Sequence, residues 1–142
     1  MEYRLGTTRD RLVIYFQIDI KGRCRTGKVM KYNPQTGQRI KDETITGKID
    51  WIHSMMKCNV TLAPDWELTQ CLFGEHLFPK YLGRSVALVE SEKTVVICSV
   101  LMPDYIRIAT EGKSRLGDKL KVLKVLKVRT VTSFPDIDGC EH

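Results

Sequence analysis

No stretch of this chain approaches the roughly 18 uninterrupted apolar residues of a membrane-spanning helix, so no membrane partner is expected. The first residues, Met1 to Arg11, are charged and lack the apolar core of a signal peptide, which points to a cytoplasmic location. Cysteine is sparse and odd in number: Cys24, Cys58, Cys71, Cys98 and Cys140, with no CxxC pair. That usage fits reduced, intracellular thiols and argues against a disulfide framework. Cys98 lies inside an apolar run and reads as a small core hydrophobe. Low-complexity tracts are missing as well.

What remains is the composition of an ordinary globular protein, 42% hydrophobic and 28% charged. The 142 residues suffice for one domain with a hydrophobic core, or for two small lobes sharing one. Twenty-three Lys and Arg against 17 Asp and Glu leave a net charge of +6. That balance suits a polyanionic partner, because phosphate-neutralising cations supply most non-specific nucleic-acid affinity. The positive charge gathers mildly at Lys21–Lys31 and Lys113–Arg129, and each cluster reads equally well as a solvated face.

The N-terminal half reads as β-structure. Leu12–Ile20 is rich in β-branched and aromatic residues and runs into the turn-prone Lys21-Gly22-Arg23. A second strand is predicted over Arg25–Tyr32, then a turn at Asn33-Pro34-Gln35-Thr36-Gly37. A third strand over Gln38–Lys41 would complete an antiparallel meander. In Asp50–Phe73 the spacing of Trp51, Ile52, Met55 and Met56 is helical, and Pro64 interrupts it.

From Arg84 the pattern changes. Ser85–Val89 is almost wholly apolar, as expected of a strand covered on both faces. Ser91 is placed to cap a helix over Glu92–Leu101, which Pro103 would stop. Ile106–Ala109 reads as another strand, Leu116–Leu126 as an amphipathic helix, and Val128–Phe134 as a third strand. Strands alternating with helices imply a parallel sheet with right-handed crossovers. The fold class is therefore α/β, a parallel sheet with flanking helices behind an N-terminal antiparallel meander.

Ligands of open α/β sheets bind beyond the carboxyl ends of the strands. Glu90 directly follows the first buried strand, and Asp136 and Asp138 follow the third, so all three acids are expected at one edge. In an extended Asp-x-Asp both carboxylates face the same side. Clustered carboxylates repel unless protonated or neutralised, and Mg²⁺, a hard cation that prefers oxygen ligands, is the usual solution. The plainer reading is a helix N-terminal carboxylate plus a solvated acidic loop. Joint placement favours the metal site. Lys93, on the first turn after Glu90, either contacts a phosphate and balances the acids or is a solvated helix lysine; Lys113 is the second phosphate candidate.

Other patterns fail on chemistry. Gly22–Val29 satisfies G-x-x-x-x-G-K, but Val29 replaces the Mg²⁺-binding hydroxyl and the motif lies between strands. Gly112-Lys113-Ser114 lacks its first glycine, since Arg107 stands there. His53, Cys58, Cys71 and His76 are the right ligand types for Zn²⁺ but lack knuckle spacing. The simpler expectation is that the cysteines pack and the histidines hydrogen-bond. Neither His53 nor His76 has a Ser or Cys nucleophile partner visible in the sequence.

Val89-Glu90-Ser91-Glu92-Lys93-Thr94 resembles the first Toprim motif, in which a Glu ends a strand. Phe134-Pro135-Asp136-Ile137-Asp138-Gly139 resembles the DxD motif of the same domain. Ala109-Thr110-Glu111-Gly112-Lys113 and Leu126-Lys127-Val128-Arg129-Thr130-Val131 are similar to the Toprim half of phage-type primase–helicases. Nearly the whole chain, Arg4 to Glu141, resembles a Toprim-like protein family of Bacteroides mobile elements. Tyr15-Phe16-Gln17-Ile18-Asp19, Arg25-Thr26-Gly27-Lys28-Val29-Met30, Trp51-Ile52-His53-Ser54 and Phe73-Gly74-Glu75-His76 carry that match. The resemblance implies a β-rich region over residues 1–74 packed on a Toprim-like α/β half over 75–142. Ser91 stands where the Toprim motif usually has Gly, and Glu111 and Arg107 replace an expected Gly and aromatic. The helix and strand that close a Toprim domain would follow the DxD, and relatives carry an upstream zinc-ribbon-like segment. The chain therefore reads as a truncated or degenerate copy, whose absent partners would include a zinc ribbon or a helicase.

Two functions follow. One is a Mg²⁺-dependent nucleic-acid-processing module, primase-like or nuclease-like, in which Glu90, Asp136 and Asp138 hold the metal and act on DNA phosphates. The other is a non-catalytic DNA-binding module that holds phosphates through the basic N-terminal sheet.

Overall fold

The computed structural model describes residues 2–40, 50–59, 62–110 and 129–134. It is a mixed α/β protein with an antiparallel sheet and a separate parallel sheet. Two compact units divide the chain. The first comprises Tyr3–Gln17 and Cys24–Gln70; the second comprises Glu2, Ile18–Arg23 and Cys71–His142.

The antiparallel sheet has the order β1-β2-β3-β4, with β1 over Leu5–Thr7, β2 over Val13–Ile18, β3 over Cys24–Met30 and β4 over Asp50–Trp51. β1 was not legible in the sequence, because Arg4-Leu5-Gly6-Thr7 shows no apolar alternation. It forms because the chain doubles back: Thr8 N–H donates to Leu12 O at 3.0 Å, and Arg11 adopts φ 61°. Leu5 then pairs with Tyr15 and Thr7 with Val13. β2 and β3 match the predicted strands to within two residues. Their connecting turn is held by Asp19, whose Oδ1 accepts from Lys21 N–H and Arg23 N–H while Oδ2 accepts from the Arg23 guanidinium at 2.9 Å.

The strand expected over Gln38–Lys41 is corrected. Asn33 Oδ1 accepts from Gln35 N–H and Thr36 N–H, so the predicted turn is there, but the return makes only the single bridge Tyr32–Arg39. Residues 34–40 are all exposed, so no apolar face rewards a longer ladder; Lys41 lies outside the described residues. The partner of β3 is β4, with Lys28 opposite Trp51. A short helix, α1 over Ile52–Cys58, follows directly and resolves the ambiguous stretch.

Among the described residues of the second unit, three strands run parallel in the order β6-β5-β7: β5 is Val86–Val89, β6 Ile106–Ala109 and β7 Val131–Phe134. β5 is central, and every one of its residues and those of β6 is buried. That is the burial expected of strands reading as uninterrupted apolar runs. Helix α2 spans Glu92–Leu101, and the predicted Ser91 cap is present: its hydroxyl accepts from Thr94 N–H at 3.2 Å. Val95 is its apolar anchor in the core, whereas Val100 and Leu101 are exposed. The amphipathic helix expected over Leu116–Leu126 lies outside the described residues.

Leu72, Phe73, Leu77 and Phe78 complete this core. Gly74, at φ 95°, makes the bend that lets Phe73 bridge to Ala109 and a 3-10 turn start at Glu75. At the opposite end of the strands, Arg129 donates to the carbonyls of Phe78, Tyr81 and Arg84, and Val86 N–H donates to Thr130 O at 2.8 Å.

One position tests packing in the first unit. A Cβ on Gly27 would lie 2.8 Å from Cγ2 of Ile14, a β-branched side chain with little rotamer freedom, and 3.1 Å from Ile52. Gly27→Ala should therefore destabilise the fold by about 1–3 kcal/mol, read as a lower urea midpoint at unchanged m-value. A midpoint equal to that of the parent would show that β3 yields there freely.

Candidate functional site

β5 pairs with both neighbours in matched register. Val89 is opposite Ala109 on one side and Phe134 on the other, so three carboxyl ends finish at one level. The ladder extends one bond further, with Thr110 N–H donating to Val89 O at 3.1 Å. Glu90 stands at this edge, in the bend between β5 and α2, and is half-buried. Its carboxylate makes no hydrogen bond or ion pair among the described residues. Lys93 lies on the first turn of α2, also half-buried. Lys113, Asp136 and Asp138 fall outside the described residues. β7, which Asp136 follows by two positions, delivers its last residue to the level of Val89.

Ser91 stands where the sequence resemblance leads to the expectation of a glycine. It sits at φ −116°, ψ 148°, extended backbone open to any residue, so the bend needs no glycine. Ser91 Oγ also lies 2.8 Å from Thr94 Oγ1, which closes the first turn. A carboxylate in that turn, Glu92, is nearly fully buried, where the positive end of the helix dipole favours it.

Besides Asp19, three buried charges among the described residues of this unit escaped sequence reasoning. Arg107 interrupts the apolar β6 and is 2% exposed; it donates to the Met102 carbonyl and lies 3.8 Å from the Glu2 carboxylate. Glu75 turns its Oε2 toward Leu72 N–H at 3.1 Å, bracing the bend before the 3-10 turn. Glu92 is the third. The signal for Arg107 was available: a cation inside Ile-Arg-Ile-Ala must find partners if the strand is buried.

The histidine and cysteine pattern resolves into local bonds. His53 Nδ1 lies 2.7 Å from Thr26 Oγ1, and His76 Nε2 lies 3.1 Å from the Glu2 carbonyl. Cys71 is buried, as expected of a packing thiol. Desolvation, then the nearby Lys57 charge, holds the His53 pKa below its ordinary value. Gly27 and Lys28, the end of the apparent P-loop, are interior residues of β3, and the Lys28 side chain is buried. No three His, Cys, Asp or Glu side chains are close enough to hold a metal among the described residues. No helix there is long and apolar enough to cross a membrane.

A family model for a domain of unknown function, DUF6371, matches residues 1–137. No curated protein matches the chain.

Two measurements follow from this geometry. Ser91→Ala should cost about 0.5–2 kcal/mol and Ser91→Gly only a few tenths, read as denaturant midpoints; an unchanged midpoint in Ser91→Ala would mean the cap contributes nothing. The lowered His53 pKa means that the unfolded chain binds this proton more readily. Its contribution is therefore intact above about pH 6.5 and is lost as pH falls through the folded-state value. His53→Gln should show a shallower decline of melting temperature between neutral and mildly acidic pH than the parent.

Proposed function

We propose that this chain, which belongs to the DUF6371 family, is a Toprim-like module that uses Mg²⁺ to act on nucleic-acid phosphates, with DNA as the substrate class. The observation that carries this reading is the parallel, in-register pairing of β5 with β7. It supports convergence of Glu90 with the acids that follow Phe134. Glu90, Asp136 and Asp138 would hold the metal, and their all-oxygen donor set suits a hard divalent cation. The bound ion would supply charge neutralisation for a phosphate and for the oxygens that enter and leave it.

The chain's own residues have separate tasks. Glu90 presents its carboxylate at the strand end without a competing bond among the described residues. Ser91 fixes the bend that follows, so the carboxylate stays at the edge instead of being wound into α2. Lys93, on the first turn of the helix, would contact a substrate phosphate, and Lys113 would add a second cation. The positive end of α2 lies at the same edge and favours an anion there. Nucleotidyl transfer and phosphodiester hydrolysis share this arrangement, and a primase-like transfer is the reaction we assign from the resemblance.

Metal and charge test the reading together. Repulsion among the three acids should destabilise the metal-free protein, and Mg²⁺ should relieve it, raising the melting temperature. Asp136→Asn with Asp138→Asn should stabilise the metal-free form modestly and abolish the Mg²⁺ response; Glu90→Gln should weaken that response. Unchanged melting at ~10 mM Mg²⁺ would leave the non-catalytic DNA-binding module as the reading.

A further inference from the structure

The first unit carries an aromatic arrangement that the metal site does not use. Trp51 ends β4, at φ −126° and ψ 137°, and α1 starts with the next residue. His53 follows on the first turn of α1, tethered to Thr26 of β3. Trp66 joins them from the loop beyond Pro64, in a turn closed by Trp66 N–H donating to Ala63 O at 3.0 Å. The three rings form a tier. Trp51 and His53 have centroids 5.8 Å apart and tilted by 37°, and His53 stacks on Trp66 at 5.9 Å and 28°. Lys57, four residues after His53 and so on its face of the helix, places its ammonium 5.6 Å from the Trp66 ring.

A tier of this kind in a core would be covered. Here all three residues are half-buried, and their surroundings are open: Ser54, Met55, Lys57, Ala63 to Asp65 and Glu67 to Thr69 are exposed. The tier is therefore partly open to solvent, with a cation at its rim. Two tryptophans is all this chain has, and both are in the tier.

We propose that the Trp51–His53–Trp66 tier with Lys57 is a stacking platform for the unpaired bases of a single-stranded nucleic acid. Every base has a π-face, so stacking on aromatic side chains binds a single strand without reading its sequence. A duplex hides those faces and offers its phosphates instead. Asp65 and Glu67 flank Trp66 and oppose a phosphate backbone, so Lys57 is left as the local counter-charge and the base faces carry recognition. The platform thus selects unpaired over paired strands, and binding is only weakly salt-dependent. It needs no metal, which separates it from the site at Glu90.

Fluorescence excited selectively at tryptophan reads this platform alone, because no tryptophan lies elsewhere. The full chain in EDTA is titrated with oligothymidylate and, separately, with a blunt DNA duplex and a proline-rich peptide. Saturable quenching by the oligothymidylate, with much less by the duplex, is the expected result. Trp66→Ala should weaken binding of a labelled oligothymidylate by about 5–100-fold and Trp66→Phe by less; Lys57→Ala should weaken it by about 2–5-fold. A folded Trp66→Ala that binds as the parent does would overturn the proposal. So would equal quenching by the duplex, or quenching by the peptide alone. If Trp66→Ala fails to fold, the parent's single-strand and duplex titrations decide. EDTA keeps the outcome independent of the Mg²⁺ reading, which is tested separately by the Mg²⁺ response of melting.

Discussion

The second unit depends on one arrangement, the hydrogen bonding of β5 on both edges by parallel neighbours. A strand paired this way cannot show a face to water without stranding apolar side chains, and Val86 to Val89 accordingly have none to show. Parallel pairing also forbids tight hairpins, so each strand must be reached by a crossover. α2 provides the one from β5 to β6, and the buried Val95 is its fixed point in the core. The matched register then has a chemical consequence: whatever follows β5, β6 and β7 emerges at a common level. A one-residue slip would turn β5's side chains to the opposite faces and move Glu90 off that level.

Legibility tracked how completely local chemistry decided each element. Glu92–Leu101 and Ile106–Ala109 were read to the residue, because Ser91, Pro103 and the apolar runs between them leave few alternatives. β2 and β3 were nearly as clear. β1 was invisible, since its formation rests on Arg11 accepting a left-handed backbone conformation that no sequence pattern announces. The false strand after Gly37 failed for the converse reason: a good turn signal says that the chain reverses, not that the returning segment has anything to bury. For the candidate site, the position of Glu90 at a strand's carboxyl end was legible, as was the capping role of Ser91. The burial of Arg107 and Glu92 was missed, although a cation inside the apolar Ile106–Ala109 was an available signal for the first; part of Arg107's compensation comes from far along the chain. Glu2 in particular lies 105 positions before Arg107 in the chain.

Glu2 shows how one exposed-looking residue can organise a neighbourhood. Its carboxylate reaches Lys80 at 3.0 Å and Arg107 at 3.8 Å, and its carbonyl takes His76. The Lys80 contact is exposed and contributes little, about 0–1 kcal/mol by the behaviour of surface pairs. The Arg107 contact matters more, because a buried guanidinium without enough acceptors is costly. The two proposals rest on different units: the metal site on the second and the stacking platform on the first.

The central claim is that Glu90, Asp136 and Asp138 converge on one cation at the carboxyl edge of the parallel sheet. Anomalous diffraction from crystals soaked in Mn²⁺, an oxygen-seeking analogue of Mg²⁺, addresses it directly. The account requires a Mn²⁺ peak in contact with the Glu90 carboxylate and with at least one of Asp136 and Asp138. An ordered edge with no peak, or the two aspartates on the side of the sheet away from Glu90, would contradict it.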